Sequence, residues 1–111
     1  TLEDAVSVVR TGDSVFVHGA AMTPTALVAA LAERAGPGIS DVKVFSIHTE
    51  GPNPLAEPAA ACSFRPVALF MGANVRKAVA EGRADYIPCF LGEIPGFFRS
   101  KTIPLDVAMI Q

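Results

Sequence analysis

The apolar residues of this chain fall into short, nearly continuous runs that alternate with segments of helical spacing. Five apolar runs bounded by turn-forming residues predict strands: Ser14–Val17, Asp41–Ile47, Val67–Met71, Asp85–Phe90 and Asp106–Ile110. Four other segments predict helices: Leu2–Val9, Pro24–Ala35, Asn74–Ala80 and Glu93–Arg99. Nearly continuous apolar strands that alternate with helices are typical of a mostly parallel sheet with helices on both faces. We therefore predict an α/β fold.

Local signals place several helix ends and one long loop. Thr23 followed by Pro24 predicts the N-cap and the first residue of the second helix. Asn74 is a candidate N-cap for the third helix. Pro95 fits a helix only in the first turn, where its missing amide would have no partner. The segment His48–Ala61 carries three prolines and is predicted to be a loop.

Composition excludes several classes of function. Half of the residues are apolar and 18% are charged, which is a globular balance. The formal net charge of −2 gives no basic surface for nucleic acid or anionic lipid. No apolar run approaches the roughly 18 residues of a membrane span, and the polar residues 1–4 do not resemble a signal peptide. Cys62 and Cys89 lie in apolar surroundings and are predicted to be reduced thiols, and no Cys/His spacing fits a zinc site. We expect a cytoplasmic protein that binds neither a metal nor a membrane.

The two ends of the sequence suggest that it is a piece of a longer protein. The last predicted strand runs into the C-terminus with no element after it, and the first residue is not methionine. A buried strand rarely ends a complete domain in this way. We therefore expect residues 1–111 to be the N-terminal part of a longer, two-domain protein.

Polar and small residues follow the predicted strands at the positions where ligands bind in open parallel sheets, beyond the carboxyl ends. His18, Gly19 and Ala20 follow the first strand, and His48 with Thr49, Glu50 and Gly51 follows the second. Gly72, Ala73, Asn74 and Arg76 follow the third, and Pro88–Glu93 closes the fourth. If the topology is correct, these segments share one edge of the sheet and face one crevice. The pattern alone supports an α/β domain with a small-molecule crevice.

Each of these residues also has a purely structural explanation. Gly19 could serve a tight strand-to-helix turn or the close approach of a ligand to the backbone. Glu50 could simply accept backbone hydrogen bonds, Asn74 could be only an N-cap, and Arg76 could be a solvated helix residue. His18 alone is more often structural than catalytic. The glycines do not form G-x-G-x-x-G or G-x-x-x-x-G-K-[ST], so a dinucleotide or nucleoside triphosphate site is poorly supported.

Four segments in the same order resemble one known family: "GDSVFVHGAAMTPTAL", "VFSIHTEGPNP", "ALFMGANVRKAVAEGRADYIPCFLGEIP" and "IPLDVAMIQ". Together they are similar to the N-terminal domain of the acetyl-CoA hydrolase/transferase family, which includes 4-hydroxybutyrate CoA-transferase-like proteins. The resemblance covers nearly the whole chain. It implies a class I CoA-transferase fold, related to sugar-phosphate isomerases, in which two similar α/β domains enclose the active site.

The resemblance also implies a reaction in which CoA moves from an acyl-CoA to a carboxylate. A glutamate attacks the thioester, and an acyl-glutamyl anhydride and then a glutamyl-CoA thioester are formed. That glutamate lies beyond Gln111 in the family, so no catalytic residue is assigned here and Glu50 is not taken as the nucleophile. The residues carried over as substrate-binding are His18, Gly19, Ala20, Thr49, Glu50, Gly51, Gly72, Ala73, Asn74 and Arg76, and Arg76 is expected to pair either with Glu50 or with an anionic group of the substrate.

The expected partners are an acyl-CoA, a short-chain carboxylate, the C-terminal domain of the same chain and further copies of the protein. No cofactor is expected beyond the coenzyme A thioester that serves as substrate. Two other functions remain open at this point, a sugar-phosphate isomerase-like enzyme and a non-catalytic effector-binding domain. The isomerase would need a basic phosphate loop, which "GAAMTP" does not supply.

Overall fold

The computed structural model describes residues 1–111, and its centre is a single sheet of five parallel strands. The strands are β1 (Ser14–Val17), β2 (Val42–Ser46), β3 (Phe64–Ala68), β4 (Asp85–Tyr86) and β5 (Val107–Met109). Their order across the sheet is β4-β3-β2-β1-β5. The α-helices are α1 (Leu2–Val6), α2 (Thr25–Ala32), α3 (Arg76–Ala80) and α4 (Ile94–Arg99), and short 3₁₀ turns cover Pro54–Ala56, Pro58–Ala60 and Leu91–Glu93. The predicted α/β fold is confirmed.

Alternate residues of the central strands enter two different cores, which is why the strands read as continuous apolar runs. Val15 and Val44 join a large cluster that includes Leu31 of α2. Phe45 belongs to a second cluster, which includes Ile94 of α4. Because side chains alternate across a strand, the two clusters lie on opposite faces of the sheet. The sheet therefore has helices on both faces, as predicted.

The predicted strand boundaries hold for β1 and are wrong for β3. The third strand begins at Phe64, three residues before the predicted start, and carries Pro66 in its middle. Proline cannot donate to a ladder, which argued against a strand at that position. Pro66 is tolerated because β4 begins only opposite Val67, while Pro66 itself lies opposite Val44 of β2. The predicted fourth strand is also wrong in length, since β4 consists only of Asp85–Tyr86.

Both predicted N-caps prove incorrect. The N-cap of α2 is Pro24, one residue after the predicted Thr23, and it makes no side-chain cap hydrogen bond. The N-cap of α3 is Val75, and Asn74 lies in the turn before it. Both polar side chains are instead bound to a loop distant in sequence, as described below. The prediction for Pro95 is confirmed, because it lies in the first turn of α4.

The remaining structural expectations concern the thiols and the helices. Both cysteines are free, but Cys62 is exposed, so the prediction of apolar surroundings is wrong for that residue. Its sulfur lies 3.5 Å from the hydroxyl oxygen of Ser63. No helix in the structure has both the length and the apolar composition needed to cross a bilayer.

Candidate functional site

The exits of β1 and β2 remain paired beyond the regular ladder. The amide of Ala20 donates a hydrogen bond to the carbonyl oxygen of His48 at 2.5 Å, and Ala20 forms an isolated parallel bridge with Thr49. A Cβ atom at Gly19 would lie 2.5 Å from the same carbonyl oxygen. The absence of a side chain at Gly19 is therefore explained by the close approach of the neighbouring backbone. The structural explanation of this glycine is the one that the geometry supports.

Ala20 adopts an unusual backbone conformation at this exit. Its φ angle is +52°, in the left-handed region that costs a non-glycine residue about 1–2 kcal/mol. Three contacts hold it there: its own amide bonds to His48, the bridge to Thr49, and a hydrogen bond of 2.7 Å from the Thr23 hydroxyl to its carbonyl oxygen. Strained residues of this kind are concentrated at functional sites.

Thr23 connects the β1 exit to the β2 exit. Its hydroxyl oxygen donates to Ala20 and accepts a hydrogen bond of 3.0 Å from the amide of Glu50. The residue is buried, with 7% of its surface exposed. Sequence reasoning identified Thr23 only as a helix cap. No local signal could have revealed this role, because its partner Glu50 lies 27 residues away along the chain.

Asn74 connects the β3 exit to the same loop. Its side-chain nitrogen donates to the carbonyl oxygen of Thr49 at 3.1 Å, to the Thr49 hydroxyl at 3.0 Å and to the carbonyl oxygen of Gly51 at 3.0 Å. The backbone of the loop has a φ angle of +76° at Gly51, a conformation that glycine adopts without strain. The amide of Asn74 is thus already engaged by the protein. Residues 49–51 are held from one side by Thr23 and from the other by Asn74.

His48 contacts each of these exits. Its ring Nε2 lies 3.1 Å from Oε1 of Glu50, and its ring packs edge-on against Phe70 with the centroids 5.6 Å apart. Its Nδ1 is buried without a hydrogen-bond partner, and a Cβ atom at Gly72 would lie only 3.2 Å from it. The missing side chain of Gly72 therefore makes room for the imidazole. The carboxylate of Glu50 remains 62% exposed at the edge of the sheet.

The remaining predicted site residues make fewer contacts. The amide of His18 donates to the carbonyl oxygen of Met109 and extends the β1–β5 ladder, while its Nδ1 is buried without a partner. Ala73 and Arg76 are exposed. Arg76 forms no ion pair, and the carboxylate of Glu50 is bonded to His48. The suggested pairing of Arg76 with Glu50 is therefore wrong.

The fourth strand exit differs from the other three. It leads into the 3₁₀ turn Leu91–Glu93, where the Glu93 carboxylate accepts a hydrogen bond of 2.8 Å from the amide of Phe90. The side chains of Phe90 and Leu91 are 81% and 70% exposed. This exit contributes apolar surface and none of the hydrogen bonds that join the loops after β1, β2 and β3.

The enclosed space beneath the joined loops is small. A cavity of about 20 Å³ is lined by Val17, Thr23, Ser46, Thr49 and Asn53, among other residues. That is room for about one water molecule. This cavity does not hold a larger molecule.

The chain matches one family along its whole length. A family model for the acetyl-CoA hydrolase/transferase N-terminal domain covers residues 1–111. The chain is 46% identical over 110 residues to the succinyl-CoA:acetate/propanoyl-CoA:succinate CoA transferase of Fasciola hepatica. That match covers 98% of this chain and 23% of the relative. It is 37% identical over 111 residues to the 4-hydroxybutyrate coenzyme A transferase of Clostridium kluyveri, and this match covers 100% of this chain and 26% of the relative. The chain thus spans about a quarter of the length of these relatives.

Solved structures agree with these sequence matches. The crystal structure of RipA from Yersinia pestis superimposes on this chain with a TM-score of 0.87 and 26% sequence identity. The match covers 99% of this chain and 28% of the RipA chain. Both the sequence and the fold therefore lead to the same conclusion: this chain belongs to the acetyl-CoA hydrolase/transferase family, to its N-terminal domain.

Proposed function

We propose that this chain forms one wall of the substrate pocket in a longer acyl-CoA:carboxylate CoA-transferase or acetyl-CoA hydrolase. The observation that carries the proposal is the network that joins three strand exits through Thr23, Asn74 and the backbone of His48. Loops fixed in this way present a rigid surface at the edge where open parallel sheets bind ligands. The C-terminal domain supplies the facing wall.

Catalysis then proceeds through a glutamate outside residues 1–111. Its carboxylate attacks the thioester carbonyl and releases CoA thiolate, which leaves an acyl-glutamyl anhydride. The thiolate attacks the glutamyl carbonyl, so that the free carboxylate leaves and a glutamyl-CoA thioester remains. A second carboxylate attacks the glutamyl-CoA thioester and takes these steps in reverse, which gives the new acyl-CoA and frees the glutamate. In a hydrolase, water attacks the same thioester instead and releases CoA and the free glutamate. Dividing one difficult exchange into several easier ones is the advantage of covalent catalysis.

The contribution of this chain is to bind and orient the substrates. Residues 18–20, 49–51 and 72–74, with Arg76, line the acyl and carboxylate portions of the pocket. Two relatives are named for succinate, acetate, propanoyl or 4-hydroxybutyrate groups, and a third, 32% identical over 112 residues, is the butyryl-CoA:acetate CoA-transferase of Anaerostipes caccae. Short-chain acyl-CoAs and carboxylates are therefore the proposed substrate class.

The two other functions are less well supported. An isomerase of sugar phosphates needs cationic groups at the phosphate, and Arg76 is the only arginine or lysine among the residues of the three joined exits. An effector-binding domain requires no nucleophile. Mass spectrometry therefore distinguishes it from the enzyme, because only the enzyme forms a covalent CoA adduct.

The deciding experiment combines a CoA-exchange assay with mass spectrometry of the full-length protein that carries this chain. With acyl-CoA and a panel of short carboxylates, we expect CoA transfer. With acyl-CoA alone, we expect a CoA adduct on a peptide outside residues 1–111, and the same adduct in the Glu50→Gln variant. An adduct on Glu50 would make that residue the nucleophile. No adduct and no transfer would favour the effector-binding function.

A further inference from the structure

We infer that His48 is a positioning residue, which holds the Glu50 carboxylate in one orientation at the pocket and fixes the β1 exit through its own carbonyl oxygen. The inference rests on the proposed function, because it assigns a role within that pocket. The sequence places His48 after the second strand but does not predict that it orients Glu50.

Three independent contacts converge on His48. Its carbonyl oxygen accepts the hydrogen bond of Ala20 at 2.5 Å. Its ring packs against Phe70 with an interplanar angle of 75°. The backbone at Gly72 leaves room for Nδ1, where any side chain would crowd the ring. The ring is thus held in place by Phe70 and by the backbone at Gly72, independently of its hydrogen bond to Glu50.

The direction of the hydrogen bond follows from the chemistry of the two side chains. An ionised carboxylate can only accept, so in the neutral imidazole the proton must be on Nε2, 3.1 Å from the Glu50 oxygen. Nδ1 then keeps its lone pair in the buried position where the structure has no partner for it. The opposite tautomer would bury an unsatisfied N–H and place two lone pairs face to face. The geometry therefore selects the Nε2–H tautomer.

Fixing Glu50 matters because the incoming substrate is itself a carboxylate. A mobile carboxylate that is 62% exposed would sample positions close to the substrate anion and repel it. A carboxylate bonded to His48 stays on its own side of the pocket. The other charged or titratable side chains of the three joined exits are His18 and Arg76, and neither bonds to Glu50.

Two substitutions of His48 separate its hydrogen bond from its ring. His48→Gln keeps a donor near the position of Nε2 and loses the aromatic contact with Phe70. His48→Phe keeps the ring and loses the donor. In the full-length protein we expect His48→Phe to raise KM for the carboxylate substrate about fivefold, the effect of losing roughly 1 kcal/mol from a half-exposed pair. We expect kcat to change less than KM, and His48→Gln to recover most of the loss.

Two controls test whether the effect passes through Glu50. Phe70→Leu replaces the aromatic contact by an aliphatic one and leaves the hydrogen bond, so its KM should stay within about twofold of the wild type. In a Glu50→Ala background, His48→Phe should add no further rise in KM, because the two changes remove the same interaction. Thermal melts of all variants show whether a loss of activity comes from unfolding.

The tautomer gives a readout that does not depend on activity. Nitrogen-15 spectra of histidine-labelled full-length protein, assigned by comparison with His48→Gln, should show the Nε2–H tautomer of His48. In the Glu50→Ala variant, His48 should no longer favour this tautomer. Equal impairment in His48→Gln and His48→Phe, an additive effect in the Glu50→Ala background, or an Nδ1–H tautomer would overturn the inference. Absence of CoA transfer in the wild type would refute the proposed function instead, and the tautomer would still decide the role of His48.

Discussion

The side-chain amide of Asn74 is bonded to both the carbonyl oxygen and the hydroxyl of Thr49, at 3.1 and 3.0 Å. This contact joins the turn before α3 to the loop after β2. A residue that could have served only its own helix is thereby part of the surface proposed to bind substrate. The consequence can be tested by substitution.

Asn74→Asp should destabilise the full-length protein by about 1–3 kcal/mol and severely reduce CoA transfer. The substitution replaces a donor by a carboxylate that faces the carbonyl oxygens of Thr49 and Gly51, which lose their hydrogen-bond donor and repel the new charge. A capping role would predict the opposite, since aspartate caps as well as asparagine. Thermal melts and steady-state kinetics are the measurements. Asn53→Asp is the matched control, because the side chain of Asn53 makes no cap hydrogen bond, and it should change little.

Gly19→Ala should destabilise the protein by about 1–3 kcal/mol, the cost of forcing atoms into a packed region. The new methyl group would lie 2.5 Å from the carbonyl oxygen of His48, which is backbone and cannot move aside cheaply. Gly38→Ala is the control, because no atom lies within 4 Å of its Cβ position and its φ is not positive. Chemical denaturation should show Gly38→Ala as neutral or slightly stabilising. Equal effects of the two substitutions would contradict the packing explanation of Gly19.

Ala20→Leu tests whether substrate approaches the β1 exit. Alanine at this position already tolerates a φ of +52°, so leucine adds no new backbone strain, and the side chain is exposed. We expect a folded variant whose KM rises or whose turnover is lost, measured by steady-state CoA transfer and a thermal melt. Normal kinetics would show that nothing binds against this loop.

The ion pair between Arg65 and Asp85 should make stability depend on pH well away from the site. The hydrogen bonds from the Arg65 guanidinium, at 2.6 and 2.8 Å, hold the pKa of Asp85 below its usual value of 3.8. A lowered pKa in the folded state stabilises the protein above the unfolded pKa, and this contribution is lost as the pH falls below about 4. Both side chains are about half exposed, so the contribution should be only about 0.2–1 kcal/mol. Asp85→Asn should lower the melting temperature slightly at pH 7, and this effect should shrink as the pH falls below about 4.

Several features of the fold could be predicted from local sequence because their cause is local. The apolar runs define the strands, since a strand covered on both faces must be apolar at nearly every position. The alternation of strands and helices defines the parallel sheet, and Ser14–Val17 was predicted to the residue. The residues beyond each strand are therefore predicted to share one edge of the sheet. The start of β3 was not predicted, because proline fits a strand only where one side of it lacks a hydrogen-bonded neighbour. At Pro66 that condition is met because β4 begins only opposite Val67, and the sequence near Pro66 does not show how far β4 extends.

The arrangement of the candidate site was decided by the tertiary structure alone. Local sequence predicts Thr23 and Asn74 to be helix caps, because a cap is the nearest use for a small polar side chain at that position, and the family resemblance adds only a substrate-binding role for Asn74. Their actual partners lie 27 and 25 residues away, and no periodicity or spacing specifies such contacts. Sequence determined which residues reach the edge of the sheet. Only the packing of β1, β2 and β3 side by side determined which of them bond to one another across the exits, because a hydrogen bond needs a partner within about 3 Å and Glu50 and Thr49 are distant in sequence from Thr23 and Asn74.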